Sequence, residues 1–207
     1  MSFPGWWTVP SVRPAIRPHD SGPKYIFFNM IRRVLGAEPI RRPLALVARA
    51  LDFCRHEQMI AEYRTEYEVA QSFEFQGRST KLSGSGNIRI GEHGHVSGGA
   101  HFHAYHGTTV EIGDFVRIGS NVTMQTVNYA PDQEFQRPES AVSYQTGDIQ
   151  VGDGVWIGNN VFIVEGTTIG SDSVVAANAV VSDDVPSGVV AGGVPARTIR
   201  ERMQRSG

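Results

Sequence analysis

The segment that decides the fold is Val151-Gly-Asp-Gly-Val-Trp-Ile-Gly-Asn-Asn-Val-Phe-Ile163, which continues Val-Glu-Gly-Thr-Thr-Ile-Gly170. From its first residue onward an aliphatic side chain recurs at every sixth position, and the residue that follows it is usually small or polar. A short fixed period of this kind is the signature of a parallel β-helix, in which each hexad forms one short strand and a turn. The aliphatic positions are Val151, Ile157, Ile163, Ile169, Val175 and Val181.

The same six-residue phase continues upstream, where it is interrupted. The largest interruption separates Met124 from Val151, which are 27 positions apart. Insertions in a β-helix emerge as loops on one side, and such loops often bind ligands. We therefore predict coils over residues 82–192 and a projecting loop over residues 128–148. The earlier matches to the phase are Ile90, Val96, Phe102, Ile112, Ile118 and Met124.

Composition limits the class of protein. The chain of 207 residues fits one domain plus a small extension, and its net charge of −2 argues against bulk electrostatic binding of nucleic acid. The single cysteine, Cys54, excludes an internal disulfide and fits a reducing compartment. No apolar run approaches the roughly 20 residues of a spanning helix, and the start MSFPGWWTVP does not resemble a signal peptide. We expect a cytoplasmic protein.

The N-terminal part of the chain is expected to differ from the coils. Residues 1–23 carry five of the eleven prolines and predict an extended arm. Residues 24–36 and 42–66 predict a helical hairpin, whose basic turn could contact an anionic membrane surface or simply be solvated. Residues 69–78 alternate and predict an entering strand. The predicted domains are residues 1–81, with the arm, the hairpin and this strand, and residues 82–207, with the β-helix, the loop and a short C-terminal helix.

The Trp156 hexad, the run Val180-Val-Ser-Asp-Asp-Val-Pro186 and the ending Gly193-Val-Pro-Ala-Arg197 resemble the hexapeptide-repeat acyltransferases. The resemblance covers about residues 82–202 and is closest to the maltose, galactoside and surface-polysaccharide O-acetyltransferases and the xenobiotic acetyltransferases. It implies a left-handed β-helix and a homotrimer with its active sites between subunits. It also implies acetyl-CoA as acyl donor, a sugar or polysaccharide precursor as acceptor through a hydroxyl or amine, and no metal ion. The residues that it places along the donor are Trp156, Gly158, Asn160, Ala177, Asn178, Ala179 and Arg197.

Val127 stands where the resemblance places a catalytic histidine, in the stretch Met124-Gln-Thr-Val-Asn-Tyr129. Acetyl transfer to an alcohol needs a base, because a hydroxyl attacks the thioester well only as its proton is removed. An isopropyl group cannot accept a proton. Three hypotheses remain: another histidine acts, the protein binds ligands without turnover, or the reaction runs without such a base. In the last case the acceptor is an amine, or Tyr129 or Glu165 assists.

Five histidines lie just upstream of Val127 and offer a replacement. Position 127 is three residues past Met124, and the corresponding residue of the preceding coil, about 4.8 Å away, is Tyr105. His103 and His106 flank Tyr105 and are the candidate bases, although a four-residue insertion after Phe102 should push His106 outward. The five histidines are His93, His95, His101, His103 and His106.

The projecting loop and the histidine strand supply the remaining candidates. The predicted acceptor contacts are Asn128, Tyr129, Arg137 and Tyr144. The loop also offers Asp132, Glu134, Glu139 and Gln145, because carboxylates and amides suit sugar hydroxyls. The alternative is that the loop is only solvated. His101 and His103 alternate on one strand and share a face, which would suit a metal ion. However, no histidine follows residue 107, and we expect no metal.

Overall fold

The computed structural model describes residues 30–31, 38–133, 136, 138 and 142–203. The chain forms two compact units, Met1–Phe53 and Cys54–Gly207. Within the described residues one long helix, α1 (Glu38–Glu66), precedes nineteen short strands. The predicted arm lies outside the described residues. So does the first predicted helix, apart from Met30 and Ile31, which are helical.

Consecutive strands pass in turn to three sheets, and the chain therefore winds as a parallel β-helix of five coils. Sheet A contains β1 (Glu68–Val69), β4 (Asn87–Ile90), β7 (Thr109–Ile112), β12 (Ile149–Val151) and β15 (Thr168–Ile169). Sheet B contains β2 (Glu74–Phe75), β5 (His95–Val96), β8 (Arg117–Ile118), β13 (Trp156–Ile157), β16 (Val174–Val175), β18 (Val189–Gly192) and β19 (Arg197–Glu201). Sheet C contains β3 (Lys81–Ser83), β6 (His101–His103), β9 (Thr123–Gln125), β14 (Phe162–Ile163) and β17 (Val180–Val181). The prediction of a mainly β, parallel β-helix is confirmed.

The hexad aliphatics fill the interior of the coils. Ile157, Ile163 and Ile169 are fully buried, whereas Trp156, the neighbour of Ile157 on β13, is 56% exposed. This contrast arises because successive side chains of a strand point to opposite sides of the sheet. Burying each of these aliphatic side chains contributes about 1.5–3 kcal/mol. The interior is thus a packed core, and ligands must bind on the outer surface of the coils.

The first coil begins earlier than the sequence predicts. Strands β1, β2 and β3 pair in parallel with β4, β5 and β6, so residues 68–83 form a complete coil rather than a single entering strand. Its interior residues are Val69, Phe75 and Leu82. The last two are seven positions apart instead of six, because an irregular turn with Ser79 at φ 65° separates them. Because this interval is not six residues, the first coil does not follow the hexad pattern.

The predicted helix over residues 42–66 is confirmed and begins four residues earlier, at Glu38. The spacing of Leu44, Val47, Leu51 and Cys54 indicates one apolar stripe, but all four side chains are exposed. At the other end of α1, Ile60 is buried in the core and the Tyr63 hydroxyl donates to the Thr80 carbonyl at 3.2 Å. This end of α1 covers the first coil, which protects strands that would otherwise expose unpaired edges.

Residues after Pro195 form a strand instead of the predicted short helix. The turn at Gly193–Ala196 reverses the chain, and β19 pairs antiparallel with β18. The strand is favoured because it satisfies the backbone groups of β18 at the edge of sheet B. Thr198 and Ile199 are β-branched, which also suits a strand.

Candidate functional site

The projecting loop is built on a β-hairpin. β10 (Val127–Tyr129) and β11 (Tyr144–Thr146) pair antiparallel, so that Tyr129 lies opposite Tyr144. Their rings stack with centroids 5.3 Å apart, and the Tyr105 ring lies 6.0 Å from that of Tyr144. These three residues, which we call the tyrosine stack, are 37–52% exposed. They present an aromatic surface beside the hairpin, and Arg137 lies outside the described residues.

Buried hydroxyl groups hold the hairpin to the preceding coil. Thr126, which is fully buried, accepts a hydrogen bond from the Tyr105 N–H at 2.8 Å and lies 2.5 Å from the Thr108 hydroxyl. Its own N–H donates to the His103 carbonyl at 3.1 Å. Buried polar groups that are satisfied in this way hold a fixed geometry. The tyrosine stack and His103 therefore belong to one rigid corner of the coil.

Asn128 and Val127 have structural contacts at the start of the hairpin. The Asn128 side-chain N–H donates to a carboxylate oxygen of Glu165 in the next coil. Val127 is half-buried and pairs with Thr146, so the position of the expected base is a strand residue with an aliphatic side chain. Asn128 thus ties the hairpin to the following coil, and its amide oxygen remains a possible acceptor contact.

Ser83 connects two of the histidines. Its hydroxyl lies 2.8 Å from His101 Nε2 and 3.1 Å from His103 Nδ1. The arrangement follows from the register of β3 and β6, in which Lys81 is beside His101 and Ser83 is beside His103. Because alternate residues of a strand share a face, all four side chains point outward from sheet C. The sequence suggested the histidine pair, but Ser83 emerged only from the stacking of the coils.

His106 and His93 have different surroundings. The four inserted residues form an exposed turn, closed by the Thr108 N–H donating to the Tyr105 carbonyl at 3.0 Å, and His106 is exposed on it as expected. His93 stacks on Phe115 at 5.2 Å, between sheets A and B. Of the two candidate bases, His103 is therefore the one whose imidazole is held in place.

Burial lowers the pKa of His101, and the nearby charges of Lys81 and His103 lower it further. In the unfolded chain this imidazole binds a proton near pH 6.5, whereas the folded environment resists protonation. As the pH falls through 6.5, the unfolded state takes up the proton first and the stability of the fold decreases. The stabilisation is therefore present above pH 6.5 and is lost between that value and the lower pKa of the folded state.

We expect wild-type protein to lose more stability than His101→Gln between about pH 7.5 and about pH 5.5. The measurement is urea unfolding at both pH values, with an NMR titration of His101 expected to give a pKa below 6.5. Lys81→Met should raise this pKa, because it removes the neighbouring positive charge. A His101 pKa at or above about 6.5 in the folded protein would contradict the expectation.

A groove of about 920 Å³ runs along the outside of sheet B in the late coils. It contains three of the predicted donor contacts, namely Trp156, Gly158 and Ala177. Arg200 and Arg202 also line it, and both belong to the C-terminal segment that the sequence analysis assigned to a helix. The apolar side chains on the outer surface of the groove are those of Trp156, Val174, Ala176, Ala177, Val190 and Met203.

Four other predicted donor contacts do not line this groove. Asn160 and Asn178 join Asn121 in a ladder of side-chain amides at 3.1 and 3.2 Å, each with φ near 60°. Ala179 is fully buried in the core. Arg197 donates to the Asp183 carboxylate at 2.7 Å, and this contact lowers the pKa of Asp183.

Two further classes of site are absent from the part of the chain that the structure describes. Within residues 38–133 and 142–203, no group of three or more histidine, cysteine, aspartate or glutamate side chains is arranged to hold a metal ion. In the same part of the chain, no helix combines the length and the hydropathy needed to cross a membrane.

Comparison with known proteins agrees with this architecture. Residues 148–183 match the family model "Bacterial transferase hexapeptide (six repeats)". The galactoside O-acetyltransferase of Escherichia coli K12 is 43% identical over 97 residues, which cover 47% of this chain and 46% of that protein. The chain spans about half the length of the relatives that it matches by sequence.

Two solved structures superpose well. A hexapeptide-repeat-containing acetyltransferase from Vibrio cholerae, complexed with acetyl-CoA, has a TM-score of 0.58 and 31% identity over 72% of this chain and 79% of that one. A galactoside acetyltransferase in complex with coenzyme A has a TM-score of 0.54 and 31% identity over 64% of this chain and 66% of that one. With the repeat, the coils and these similarities together, the chain belongs to the hexapeptide-repeat acyltransferase family.

Proposed function

We propose that this protein transfers an acetyl group from acetyl-CoA to a hydroxyl of a sugar or polysaccharide precursor. The observation that carries the proposal is the groove on sheet B, which combines an apolar lining with Arg200 and Arg202. The two solved relatives described above, which hold acetyl-CoA or coenzyme A, support this assignment of the donor.

The groove suits the chemistry of the donor. Its volume of about 920 Å³ is in the range of sites that hold ligands of this size. Trp156, Val174 and Val190 offer apolar contact to the pantetheine arm. The guanidinium groups of Arg200 and Arg202 can each donate two hydrogen bonds to phosphate oxygens. Arg202 is held by the Asp172 carbonyl at 2.8 Å, so it is ordered before a ligand binds.

The tyrosine stack suits a saccharide acceptor. One face of a pyranose ring carries mainly C–H groups and packs on aromatic rings, while its hydroxyls bond to polar groups at the edge. The phenols of Tyr129 and Tyr144 and the amide oxygen of Asn128 would be such groups, and the 128–148 loop would cover the bound sugar.

The proposed base is His103. Its imidazole would take the proton of the acceptor hydroxyl as the oxygen attacks the thioester carbon. An O–C bond forms and the C–S bond breaks. The imidazolium then returns the proton to the leaving thiolate, so the products are the acetyl ester and CoA thiol. His106 is the second candidate, because it flanks Tyr105 on the exposed turn.

A homotrimer would bring the two parts of the site together. The hairpin is inserted between β9 of sheet C and β12 of sheet A, so it projects from the edge where these sheets meet. Sheet B, which carries the groove, is the side opposite that edge. One subunit therefore cannot place its own tyrosine stack beside its own donor, and a neighbouring subunit related by cyclic symmetry could supply the missing part.

Donor binding is the first test. We expect calorimetric titration with acetyl-CoA and with CoA to give micromolar dissociation constants. Arg200→Gln should weaken both by about tenfold, which corresponds to roughly 1.4 kcal/mol for one lost charge-assisted contact. The matched control is Arg89→Gln on sheet A, whose side chain pairs with Glu68 at 3.3 Å. No binding at millimolar ligand would remove the proposed function.

Acceptor-dependent release of CoA thiol is the second test. An acetyltransferase should release thiol from acetyl-CoA only when a suitable saccharide is present. A protein that binds acetyl-CoA with no thiol release for any hydroxyl or amine acceptor would instead fit the alternative, a non-catalytic binding or scaffold protein. The observation that supports this alternative is the valine at position 127, where the family resemblance places a catalytic histidine.

Removing one ring of the tyrosine stack should weaken acceptor binding alone. We expect Tyr144→Ala to raise the acceptor KM about three- to tenfold, in line with roughly 0.5–1.5 kcal/mol for an aromatic contact. The dissociation constant for acetyl-CoA should not change. Tyr144→Phe keeps the ring and is the control. Equal acceptor KM values for Tyr144→Ala and wild type would show that the acceptor binds elsewhere.

A further inference from the structure

We infer that Ser83 and His101 are positioning residues, which hold His103 in the tautomer that leaves its Nε2 able to accept a proton. The inference rests on the proposed function for its catalytic consequence, but the tautomer itself is a property of the free protein. Its structural basis is the hydrogen-bonded row formed by His101, Ser83 and His103 on the outside of sheet C.

The chemistry of the hydroxyl permits three arrangements when both imidazoles are neutral. Ser83 has one proton to donate and two lone pairs that accept, so it can donate to one imidazole and accept from the other, or accept from both. In the first arrangement His103 Nδ1–H donates to Ser83, and Ser83 donates to His101 Nε2. In the second, His101 Nε2–H donates to Ser83, and Ser83 donates to His103 Nδ1. In the third, both imidazoles donate to Ser83. The first and the third leave a lone pair on His103 Nε2, and the second does not.

The distances favour the first arrangement. The Ser83–His101 separation of 2.8 Å is usual for a hydroxyl donor, whereas the Ser83–His103 separation of 3.1 Å is in the range of a nitrogen donor. Protonation of His101 would remove the first arrangement, because a protonated Nε2 can only donate. The lowered pKa of His101 opposes this change near neutral pH.

Few charged groups lie near the row and could change the protonation of its two imidazoles. Lys81 on β3 lies beside His101, and its positive charge disfavours the protonated imidazole. On the other side, β9 places Thr123 beside His101 and Gln125 beside His103, and neither residue ionises. The row is half-buried, so solvent competes only partly for these hydrogen bonds. Lys81, His101 and His103 are thus the titratable groups of the row within the described strands β3, β6 and β9.

His103 lies next to the proposed acceptor site along the chain. With Nδ1 engaged by Ser83, only Nε2 of His103 is available to a substrate. The His103 backbone carbonyl accepts the Thr126 N–H, and Tyr105 begins the tyrosine stack two residues later. Ser83 would therefore set both the tautomer and the orientation of a base placed beside the acceptor.

The test is the tautomer of His103 in protein labelled with ¹⁵N-histidine, measured by two-bond ¹H–¹⁵N correlation spectra without any ligand. We expect the proton on Nδ1 in both His101 and His103. Ser83→Ala should shift His103 toward the Nε2–H form, and Ser83→Thr should preserve the wild-type spectrum. A proton on His103 Nε2 in the wild-type protein would overturn the inference, whatever the outcome of the acetyl-CoA titration.

Kinetics supply the second readout. Ser83→Ala should lower kcat roughly tenfold, less than loss of the base itself, with acetyl-CoA affinity unchanged. Lys81→Met should move the acid limb of the kcat profile to higher pH, because it eases protonation of His101. The matched control is Ser97→Ala, next to β5 of sheet B.

Mass spectrometry after incubation with acetyl-CoA alone tests whether Ser83 reacts itself. An acetyl group on Ser83 would contradict the inference, because Ser83 would then be a nucleophile.

Discussion

Replacing His103 by glutamine is expected to lower kcat for acetyl transfer by about 10²- to 10⁴-fold, the usual contribution of a general base. Glutamine can still form a hydrogen bond with Ser83, so the row on sheet C should stay folded. It cannot accept a proton from the acceptor hydroxyl. The measurement is thiol release at saturating acetyl-CoA and acceptor, with calorimetry expected to show an unchanged dissociation constant for acetyl-CoA.

The control for this variant is His106→Gln. His106 is exposed on the turn after β6, whereas the imidazole of His103 is anchored. We expect His106→Gln to retain kcat within about twofold of wild type, because an imidazole without fixed geometry contributes little to a positioned proton transfer. If His106→Gln loses turnover and His103→Gln does not, the base is the exposed histidine and the role assigned to His103 is wrong.

Ile157→Ala is expected to lower the free energy of unfolding by about 2–5 kcal/mol, the usual cost of truncating a buried aliphatic side chain. Ile157 is fully buried and lies between Ile118 and Val175 in the adjoining coils of sheet B. The cavity would interrupt the stack of side chains that joins these coils. Urea unfolding followed by circular dichroism measures the change.

The neighbouring residue on the same strand is the matched control. Trp156 points outward, is 56% exposed and lines the groove. We expect Trp156→Ala to weaken acetyl-CoA binding and to cost less stability than Ile157→Ala. The opposite pattern, with a large loss of stability at Trp156 and little at Ile157, would mean that the two faces of β13 have been assigned the wrong way round.

The parts of the fold that could be predicted are those with a local physical cause. The hexads recur because every coil buries one aliphatic residue on each sheet, so the requirement is written into each six-residue unit. The helix over residues 42–66 was predictable for a similar reason, from apolar spacing along one segment. The burial of Ile60 was not predictable in this way, because it depends on packing against the core of the coils, which lies far away in the sequence.

The elements that escaped prediction depend on pairing with residues far away in the chain. β19 is a strand because β18 offers an edge, and the hairpin at Val127 forms because Tyr144 returns opposite Tyr129. Neither partner is marked by a local period. The first coil was missed because one additional residue between Phe75 and Leu82 and two between Leu82 and Ile90 break the hexad while leaving the stacking intact.

The candidate site likewise contains residues that the sequence predicts and residues that only the tertiary structure brings together. The sequence by itself determined the β-helix and the family resemblance, and it predicted Trp156, Gly158 and Ala177 as donor contacts and the two candidate histidines. Only the tertiary structure placed Ser83 between His101 and His103, gathered the tyrosine stack, and brought Arg200 and Arg202 into the groove. The physical reason is that a repeat specifies which side chains face inward at every turn, whereas the outward neighbours are set by the length of each coil and by its insertions.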